Sequence, residues 1–282
     1  MNLLRTKLFR NKRFVISSIV LAVLCVLAIG APFFAPFDYD AVSAGPNLSP
    51  PIKGFIMGTD VLGRDLYSRI LYGARLSLAV GFCTALFAAI LGTATGAIAG
   101  YFGGKWDRML MVIVDIFYIL PMLLLAILFT LLVGRGFFGI FLAIGATTWV
   151  TQARLVRALV MQSRELPYVE AGRAMGLTHL NILFKHIIPN LMGPMIVSLT
   201  FQIPNNILTE SFLSFIGLGL QPPYSSWGTL ASEGFRGIQS YPHLMLFPGL
   251  ALFITMLAFH FLGDSLRDVL DPKSSVGSSI GS

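Results

Sequence analysis

Long stretches without a charged side chain alternate along the chain with short segments that carry most of the charge. A helix needs about 20 apolar residues to cross the hydrocarbon core of a bilayer. The uncharged stretches are 14–35, 76–104, 109–134 (interrupted by Asp115), 136–153, 186–232 (interrupted by Glu210) and 237–263. Prolines punctuate the fifth stretch, which favours one kinked span with irregular flanks over two spans. The pattern therefore predicts an all-α integral membrane protein with six transmembrane helices.

The same pattern divides the chain into segments. We expect a basic N-terminus at 1–13, a first transmembrane helix at 14–36, an extracytoplasmic loop at 37–75, a five-helix core at 76–268 and a flexible tail at 269–282. The first apolar run is longer than the 7–15 residues that are typical of a signal-peptide core. We therefore predict a retained membrane anchor rather than a cleaved signal.

Composition also points to a membrane location. Lys, Arg, Asp and Glu make up 12% of the 282 residues, and mean hydropathy is +0.78, whereas an ordinary soluble domain is about 25% charged. So few charges do not cover the surface of a soluble fold, which excludes a water-soluble globular enzyme. Cys25 and Cys83 lie in apolar runs and lack the spacing of a disulfide framework or a metal site.

The distribution of positive charge predicts the orientation in the membrane. Cytoplasmic loops of membrane proteins carry an excess of Lys and Arg. With six spans, the two termini and the loops on their side hold 14 of the 20 Lys and Arg residues. Both termini are therefore predicted to be cytoplasmic. This bias accounts for the net charge of +7, so no nucleic-acid partner is needed to explain it.

The loop at 37–75 ends in a segment with helical periodicity. On a helical wheel, the apolar residues of 62–74 share one half, and the other half consists of Arg64, Asp65, Ser68, Arg69 and Arg75. The pattern predicts an amphipathic helix that lies at the membrane surface before the second span. Such a helix would serve either as a topological anchor or as part of a gate.

The segment at 163–190, between the predicted fourth and fifth spans, contains signals for helix starts and stops. Pro167 suits the first turn of a helix, and Gly176 suits a helix end. Thr178 suits the cap of a second short helix that ends before Pro189. The sequence therefore predicts helix, glycine hinge and helix, lying across the membrane face rather than through it.

The first of these two helices presents a stripe of small and apolar residues. Tyr168, Ala171, Gly172 and Met175 recur at helical spacing, so another surface can approach the backbone closely. A short exposed helix of this kind is typical of a knob that docks into a groove of a soluble partner. The alternative is a helix that only packs under its own bundle.

The same segment resembles the coupling loop of ABC-importer permeases. The residues that carry the resemblance are Glu170, Ala171, Gly172, Gly176 and Pro189. The family pattern runs Glu-Ala-Ala, three residues, Gly, nine residues and an Ile-x-Leu-Pro-like end. This chain departs from it at Gly172, His186 and Ile188, and these departures leave the spacing of the pattern unchanged.

Further motifs are similar to those of the second permease subunit of dipeptide, oligopeptide and nickel importers. They lie at 57–69, 73–78, 210–219, 222–228 and 263–272. The resemblance covers the chain up to the Ser- and Gly-rich residues 274–282.

The resemblance implies a transport subunit rather than an enzyme. Such permeases act in the bacterial cytoplasmic (inner) membrane with a homologous sister permease, two cytoplasmic ATPase subunits and an extracytoplasmic solute-binding protein. ATP is used by the ATPase subunits, and this chain, which lacks a GxxxxGK[ST] phosphate loop, is expected to bind no cofactor. The expected substrates are di- or oligopeptides, and the alternative is nickel or another small solute.

Asp115 and Glu210 are the acids inside predicted spans. A carboxyl group in a membrane is costly and is a candidate functional residue. One interpretation is a proton relay, which would make the chain a proton-coupled secondary transporter. The other is that both are buried acids satisfied by donors from neighbouring helices. The four histidines lack metal-ligand spacing, so no metal site is predicted.

Gly96 and Gly100 form a GxxxG pattern in the second predicted span. Small residues at this spacing let two helices approach closely. The pattern predicts a tight helix contact, either inside the bundle or with the sister permease.

Overall fold

A computed structural model of the chain describes residues 8, 10–221 and 223–270. Residues 1–7 and 9 of the predicted basic N-terminus, Pro222, and residues 271–282 of the predicted tail lie outside the described residues. The described helices are α1 (Lys12–Ile29), α2 (Ala31–Phe34), α3 (Leu66–Phe102), α4 (Gly104–Ile119), α5 (Met122–Val133), α6 (Phe137–Ser163), α7 (Pro167–Ala174), α8 (His179–Asn181), α9 (Ile188–Phe215), α10 (Trp227–Phe235) and α11 (His243–Leu270). A π-helical segment, Ile182–Ile187, joins α8 to α9.

Four helical stretches of the described chain are long and apolar enough to cross a membrane. They are Lys12–Ile29, Leu66–Phe102, His179–Phe215 and His243–Leu270. Helices α4 and α5 make a fifth span if they act as one, although the pair is bent by 93°. Helix α6 falls outside this set because its second half carries Gln152, Arg154 and Arg157. By length and composition, four or five spans are therefore evident in the described residues, and the remaining predicted span, at α6, stays a prediction.

The bend between α4 and α5 follows from a proline. The ring of Pro121 disfavours a helical conformation at the residue before it, and Leu120 is accordingly extended, with φ −68° and ψ 127°. Helix α4 ends at Ile119, and α5 begins at Met122. The predicted third span is thus two helices with different directions.

The predicted separate surface helix before position 76 is wrong. Helix α3 begins at Leu66 and runs without a break to Phe102, with Asp65 as its cap, accepting a 2.8 Å hydrogen bond from the Ser68 amide. Most of the polar half of the predicted helix also does not face solvent: Arg75 is exposed, whereas Arg64 and Arg69 are buried. Their charges are paired inside the protein, so the exposed face that the wheel predicted is covered.

Glycines spaced by four residues let α3 and α6 approach closely. A Cβ added at Gly96 would clash with the carbonyl oxygen of Ala153, and one added at Gly100 would lie 2.7 Å from the carbonyl oxygen of Arg157. Both neighbours are backbone atoms, which cannot move without shifting the helix. Of the two predicted locations for the GxxxG pattern, the contact inside the bundle is the one that forms.

Gly96→Ala is expected to destabilise the bundle by about 2 kcal/mol, because a methyl group must be forced between two packed backbones. Gly249→Ala is the matched control, since Gly249 lies in spanning helix α11 and an added Cβ there meets nothing within 4 Å. The control should be neutral or slightly stabilising, because alanine favours helix by about 1 kcal/mol over glycine. Thermal unfolding of the detergent-solubilised chain measures both. Equal melting temperatures for the two variants would contradict the close α3–α6 contact.

Candidate functional site

Helix α7 lies between α6 and α9, and local sequence fixes both of its ends. Pro167 is in its first turn, where no amide donor is needed. At the other end Gly176 takes φ +77°, and the Leu177 amide donates to the Gly172 carbonyl at 3.1 Å while the Gly176 amide donates to the Arg173 carbonyl at 3.0 Å. These two bonds form a Schellman motif. The predicted start and stop of this helix are confirmed.

The inner face of α7 packs against the segment that follows it. Val169 is fully buried and Gly172 is buried, and they lie in the region of Ile182 and Leu183. Gly172 therefore belongs to the inner face and not to the exposed stripe that the sequence predicted. A Cβ at this position would be 3.5 Å from Leu177 Cδ1, which is ordinary van der Waals contact. The alanine of the family pattern would fit here without strain.

The outer face of α7 is exposed. Glu170, Ala171 and Arg173 are exposed, and the Met175 side chain that follows the helix is 73% exposed. A polar groove of about 420 Å³ adjoins this face, and its lining comprises Tyr101, Arg164, Glu165, Glu170 and Arg173. The helix is thus a short projection with an apolar tip and charges of both signs at its rim, which suits contact with another protein surface.

Side-chain hydrogen bonds tie the residues on either side of α7 to the end of α3. The Tyr101 hydroxyl lies 3.0 Å from His179 Nδ1, and Arg164 Nη1 donates to the Tyr101 carbonyl at 3.3 Å. The rings of Tyr101 and His179 also meet edge to face. Sequence reasoning considered His179 only as a metal ligand and missed this role, because its partner is 78 residues away.

The prediction that the second short helix ends before Pro189 is wrong. Thr178 caps α8 as predicted, accepting from the Asn181 amide at 3.4 Å, but the chain then continues through the π-helical segment into α9. Pro189 lies at the start of α9, directly after the π-helical segment. The Asn190 side chain donates to the His186 carbonyl at 2.8 Å. Helix α8, the π-helical segment and α9 therefore form one continuous helical stretch, which follows α7 after the turn at Gly176.

Asp115 is not a buried acid. Its side chain is 54% exposed and forms an ion pair with Arg154 at 2.6 Å. The Arg154 guanidinium also lies 3.7 Å from the centre of the Tyr118 ring. The prediction of burial failed because α4 presents this residue to the side of α6 rather than to the centre of the bundle.

Glu210 is fully buried and surrounded by hydroxyl groups. Ser214 donates to Oε1 at 2.7 Å, and Ser77 and Ser211 donate to Oε2 at 3.1 and 3.5 Å. Ser226, the cap of α10, donates to the Ser214 hydroxyl at 3.4 Å. The carboxyl group thus joins α3, α9 and the start of α10 through hydrogen bonds.

Glu210 belongs to a row of polar side chains at every fourth position of α9. The row is Ser198, Gln202, Asn206, Glu210 and Ser214. Ser198 donates to Gln152 at 3.1 Å, Gln202 donates to the Thr148 carbonyl at 3.0 Å, and the Asn206 amide lies 2.8 Å from the Thr84 hydroxyl. The row fastens α9 to α3 and α6 along most of its length. Its spacing is visible in the sequence, but sequence reasoning singled out Glu210 alone.

Charged side chains form a second polar cluster where α3 begins. Asp60 accepts from Arg64 Nε at 2.7 Å and from Arg69 Nη1 at 2.6 Å, and Arg69 Nη1 also lies 2.6 Å from Glu233 of α10. Asp60, Arg64 and Arg69 are between 1% and 6% exposed. The cluster fastens the loop at 37–65 to α10. Among the described residues, no group of three His, Cys, Asp or Glu side chains is placed to hold a metal ion.

Two family models match the chain. One, described as the binding-protein-dependent transport system inner membrane component, matches residues 92–276. The other, described as the N-terminal TM domain of oligopeptide transport permease C, matches residues 2–51.

Curated relatives match over nearly the whole chain. The oligopeptide transport system permease protein OppC of Haemophilus influenzae is 42% identical over 271 residues, which cover 95% of this chain and 87% of the relative. The dipeptide transport system permease protein DppC of Bacillus subtilis is 41% identical over 268 residues, or 95% of this chain and 84% of the relative.

Solved structures share the fold. The inward-facing MetNI methionine ABC transporter matches with a TM-score of 0.56 and 23% identity, over 72% of this chain and 97% of the matched chain. At this identity the similarity concerns the arrangement of helices alone.

Proposed function

The chain belongs to the family of binding-protein-dependent transport system inner membrane components, a family of ABC-importer permeases, and on that premise we propose that it forms half of the translocation pathway of a peptide importer. The substrates are di- or oligopeptides. The observation that carries this proposal is identity above 40% to an oligopeptide and a dipeptide permease over 95% of the chain.

In the proposed assembly this chain pairs with a homologous sister permease, two cytoplasmic ATPase subunits and an extracytoplasmic peptide-binding protein. It spans the bacterial inner membrane six times. Helices α4 and α5 together form one broken span, and α6 forms a span of its own. Both termini and α7 are cytoplasmic. ATP binds to the ATPase subunits, and this chain binds no cofactor.

Helix α7 is the proposed contact with an ATPase subunit. Its exposed rim, with Glu170 and Arg173, meets the ATPase, and its buried residue Val169 transmits the movement inward. Two features support rigid transmission. The Tyr101–His179 contact links α8, which follows α7 after the turn at Gly176, to α3, and α8 continues through the π-helical segment into α9. A displacement of α7 is passed to this stretch through the buried cluster that holds Val169, Ile182 and Leu183.

Uptake by the reconstituted complex tests the proposed function. We expect ATP-dependent accumulation of labelled peptides across a series from dipeptides to longer peptides when the binding protein is present. Omission of ATP or of the binding protein is the control. Transport of nickel without any peptide uptake would overturn the peptide assignment while leaving the family assignment intact.

Glu170→Lys is expected to weaken docking of the ATPase, because it reverses a charge at the rim of the contact. We expect recovery of the ATPase with the permease to fall about tenfold, equivalent to about 1.4 kcal/mol. Affinity pull-down from membranes matched for permease content measures this. Lys53→Glu, a charge reversal at an exposed position on the proposed opposite side, should leave recovery unchanged. Unreduced recovery with Glu170→Lys would count against α7 as the contact.

Asp115→Asn and Glu210→Gln are expected to retain ATP-driven uptake. Asparagine keeps a hydrogen-bond acceptor for Arg154 at position 115. Glutamine likewise keeps hydrogen-bonding atoms within reach of the serines around position 210. Uptake per assembled complex is the measurement. If either variant abolishes uptake with the complex intact, and a proton gradient alone drives transport in the unmutated protein, the secondary-transporter alternative replaces this proposal.

A further inference from the structure

Two adjoining grooves of different chemistry lie where α1 and α3 meet the segment before α10. The first, which we call the tyrosine groove, has a volume of about 460 Å³ and is lined by Tyr39, Tyr72, Arg75, Tyr224 and Ser225 among others. The second, the α1–α3 crevice, has a volume of about 270 Å³ and is lined by Cys25, Ala28, Ile29, Leu78 and Phe82. Arg75 and Ala79 line both, so the two grooves adjoin each other along α3.

Arg75 places this pair of grooves at the boundary of the membrane. It is the last charged residue before the uncharged stretch 76–104. From Arg75 to Phe82 the helix rises by about 10 Å, at 1.5 Å per residue, so the crevice extends from the boundary into the apolar layer. A molecule that fills both grooves therefore has a polar end beside Arg75 and an apolar end beside Phe82.

The tyrosine groove offers unpaired groups of defined chemistry. Arg75 is exposed and forms no salt bridge within the described part of the chain, although its guanidinium lies 6.0 Å from the Tyr72 ring centre. Ser225 is 1% exposed, and its Oγ has no hydrogen-bond partner among the described residues. One cation and one buried hydroxyl donor together suit a phosphate group.

The same groove also suits a cation. The ring centre of Tyr39 lies 5.0 Å from that of Tyr72 and 6.1 Å from that of Tyr224, and aromatic faces attract ammonium groups. The exposed acids Asp38 and Asp40 flank Tyr39 in the chain. Desolvation, and then the charge of Asp40, raise the pKa of the Tyr39 hydroxyl, so it stays protonated and able to donate a hydrogen bond at neutral pH.

We propose that a phospholipid with an ammonium headgroup occupies the two grooves. Its phosphodiester lies against Arg75, its ammonium group lies among the tyrosines near Asp38 and Asp40, and one acyl chain fills the α1–α3 crevice. The zwitterionic headgroup matches the neighbouring positive and negative charges, and the apolar lining of the α1–α3 crevice matches the acyl chain. This site lies beyond the proposed function, since it concerns the membrane and not the transported peptide.

Lipid retention by the purified complex tests the proposal. The delipidated complex is titrated with phosphatidylethanolamine or phosphatidylglycerol of equal acyl chains, and bound lipid is counted by native mass spectrometry. We expect phosphatidylethanolamine to be preferred. Arg75→Gln should weaken its binding about tenfold through loss of a charge-assisted hydrogen bond, and Ala79→Phe should weaken binding of both lipids by filling the crevice.

Arg236→Gln is the matched control, because Arg236 is exposed and lines neither groove. It should leave lipid retention unchanged. Three results would overturn the proposal. The complex could prefer phosphatidylglycerol, Arg75→Gln could retain as much lipid as the unmutated complex, or all three variants could lose lipid equally. Unchanged lipid retention together with a raised KM for peptide uptake in Arg75→Gln would also overturn it, since the groove would then belong to the substrate.

Discussion

Gly176→Val is expected to lower uptake at least about tenfold while leaving membrane levels normal. Gly176 has φ +77°, where an L-residue is strained by about 1–2 kcal/mol, and a β-branched side chain increases that strain. Relief of the strain breaks the two Schellman bonds that end α7, those to the carbonyls of Gly172 and Arg173. The proposed ATPase contact then tilts, whereas the spanning helices keep their own packing.

Gly54→Val is the matched control for this variant. Gly54 has φ +96°, and a Cβ added at either glycine meets nothing within 4 Å. The two substitutions therefore impose the same kind of backbone strain at sites on opposite proposed sides of the membrane. Uptake and ATPase pull-down from membranes matched for permease content distinguish them. Equal uptake by the two variants would show that strain at Gly176 has no special effect and would remove α7 from the coupling mechanism.

Arg69→Met is expected to lower the free energy of unfolding by about 3 kcal/mol. The substitution removes a cation from two carboxylates. Asp60 is 4% exposed, so water cannot solvate its charge. Removal of one partner from a buried ion pair costs about 3–5 kcal/mol. The lower end applies because Arg64 remains 2.7 Å from Asp60.

Glu233→Gln provides the comparison for Arg69→Met. The Glu233 side chain is 37% exposed, so loss of its charge should cost about 1 kcal/mol or less. Thermal unfolding of the solubilised complex measures both variants, with expression and assembly checked first. Similar melting temperatures for Arg69→Met and the unmutated protein would mean that the cluster at the start of α3 does not hold the loop at 37–65.

Features that depend on a few neighbouring residues could be read from the sequence. The start of α7 at Pro167, its end at Gly176 and the cap at Thr178 each act through local backbone geometry, and each is found where it was predicted. The bend at Pro121 is equally local. The GxxxG pattern predicted a close helix contact, but the choice of α6 as the partner required the fold.

Charged residues were placed less well, because their cost depends on partners that are far away in the chain. Arg69 was assigned to an exposed face, and its partner Glu233 is 164 residues away. Asp115 was assigned to the interior, and its partner Arg154 is 39 residues away. A helical wheel shows which residues share a face, but it does not show what covers that face.

The sequence by itself determined that this protein is a helical membrane permease, since hydrophobic length and the coupling-loop pattern are properties of continuous segments. The tertiary structure alone decided which side of α7 is exposed and which helix packs against the glycines of α3. It also decided which groups donate hydrogen bonds to the carboxyl group of Glu210. The physical reason is that burial and hydrogen bonding are settled by groups that only folding brings within a few ångströms of one another.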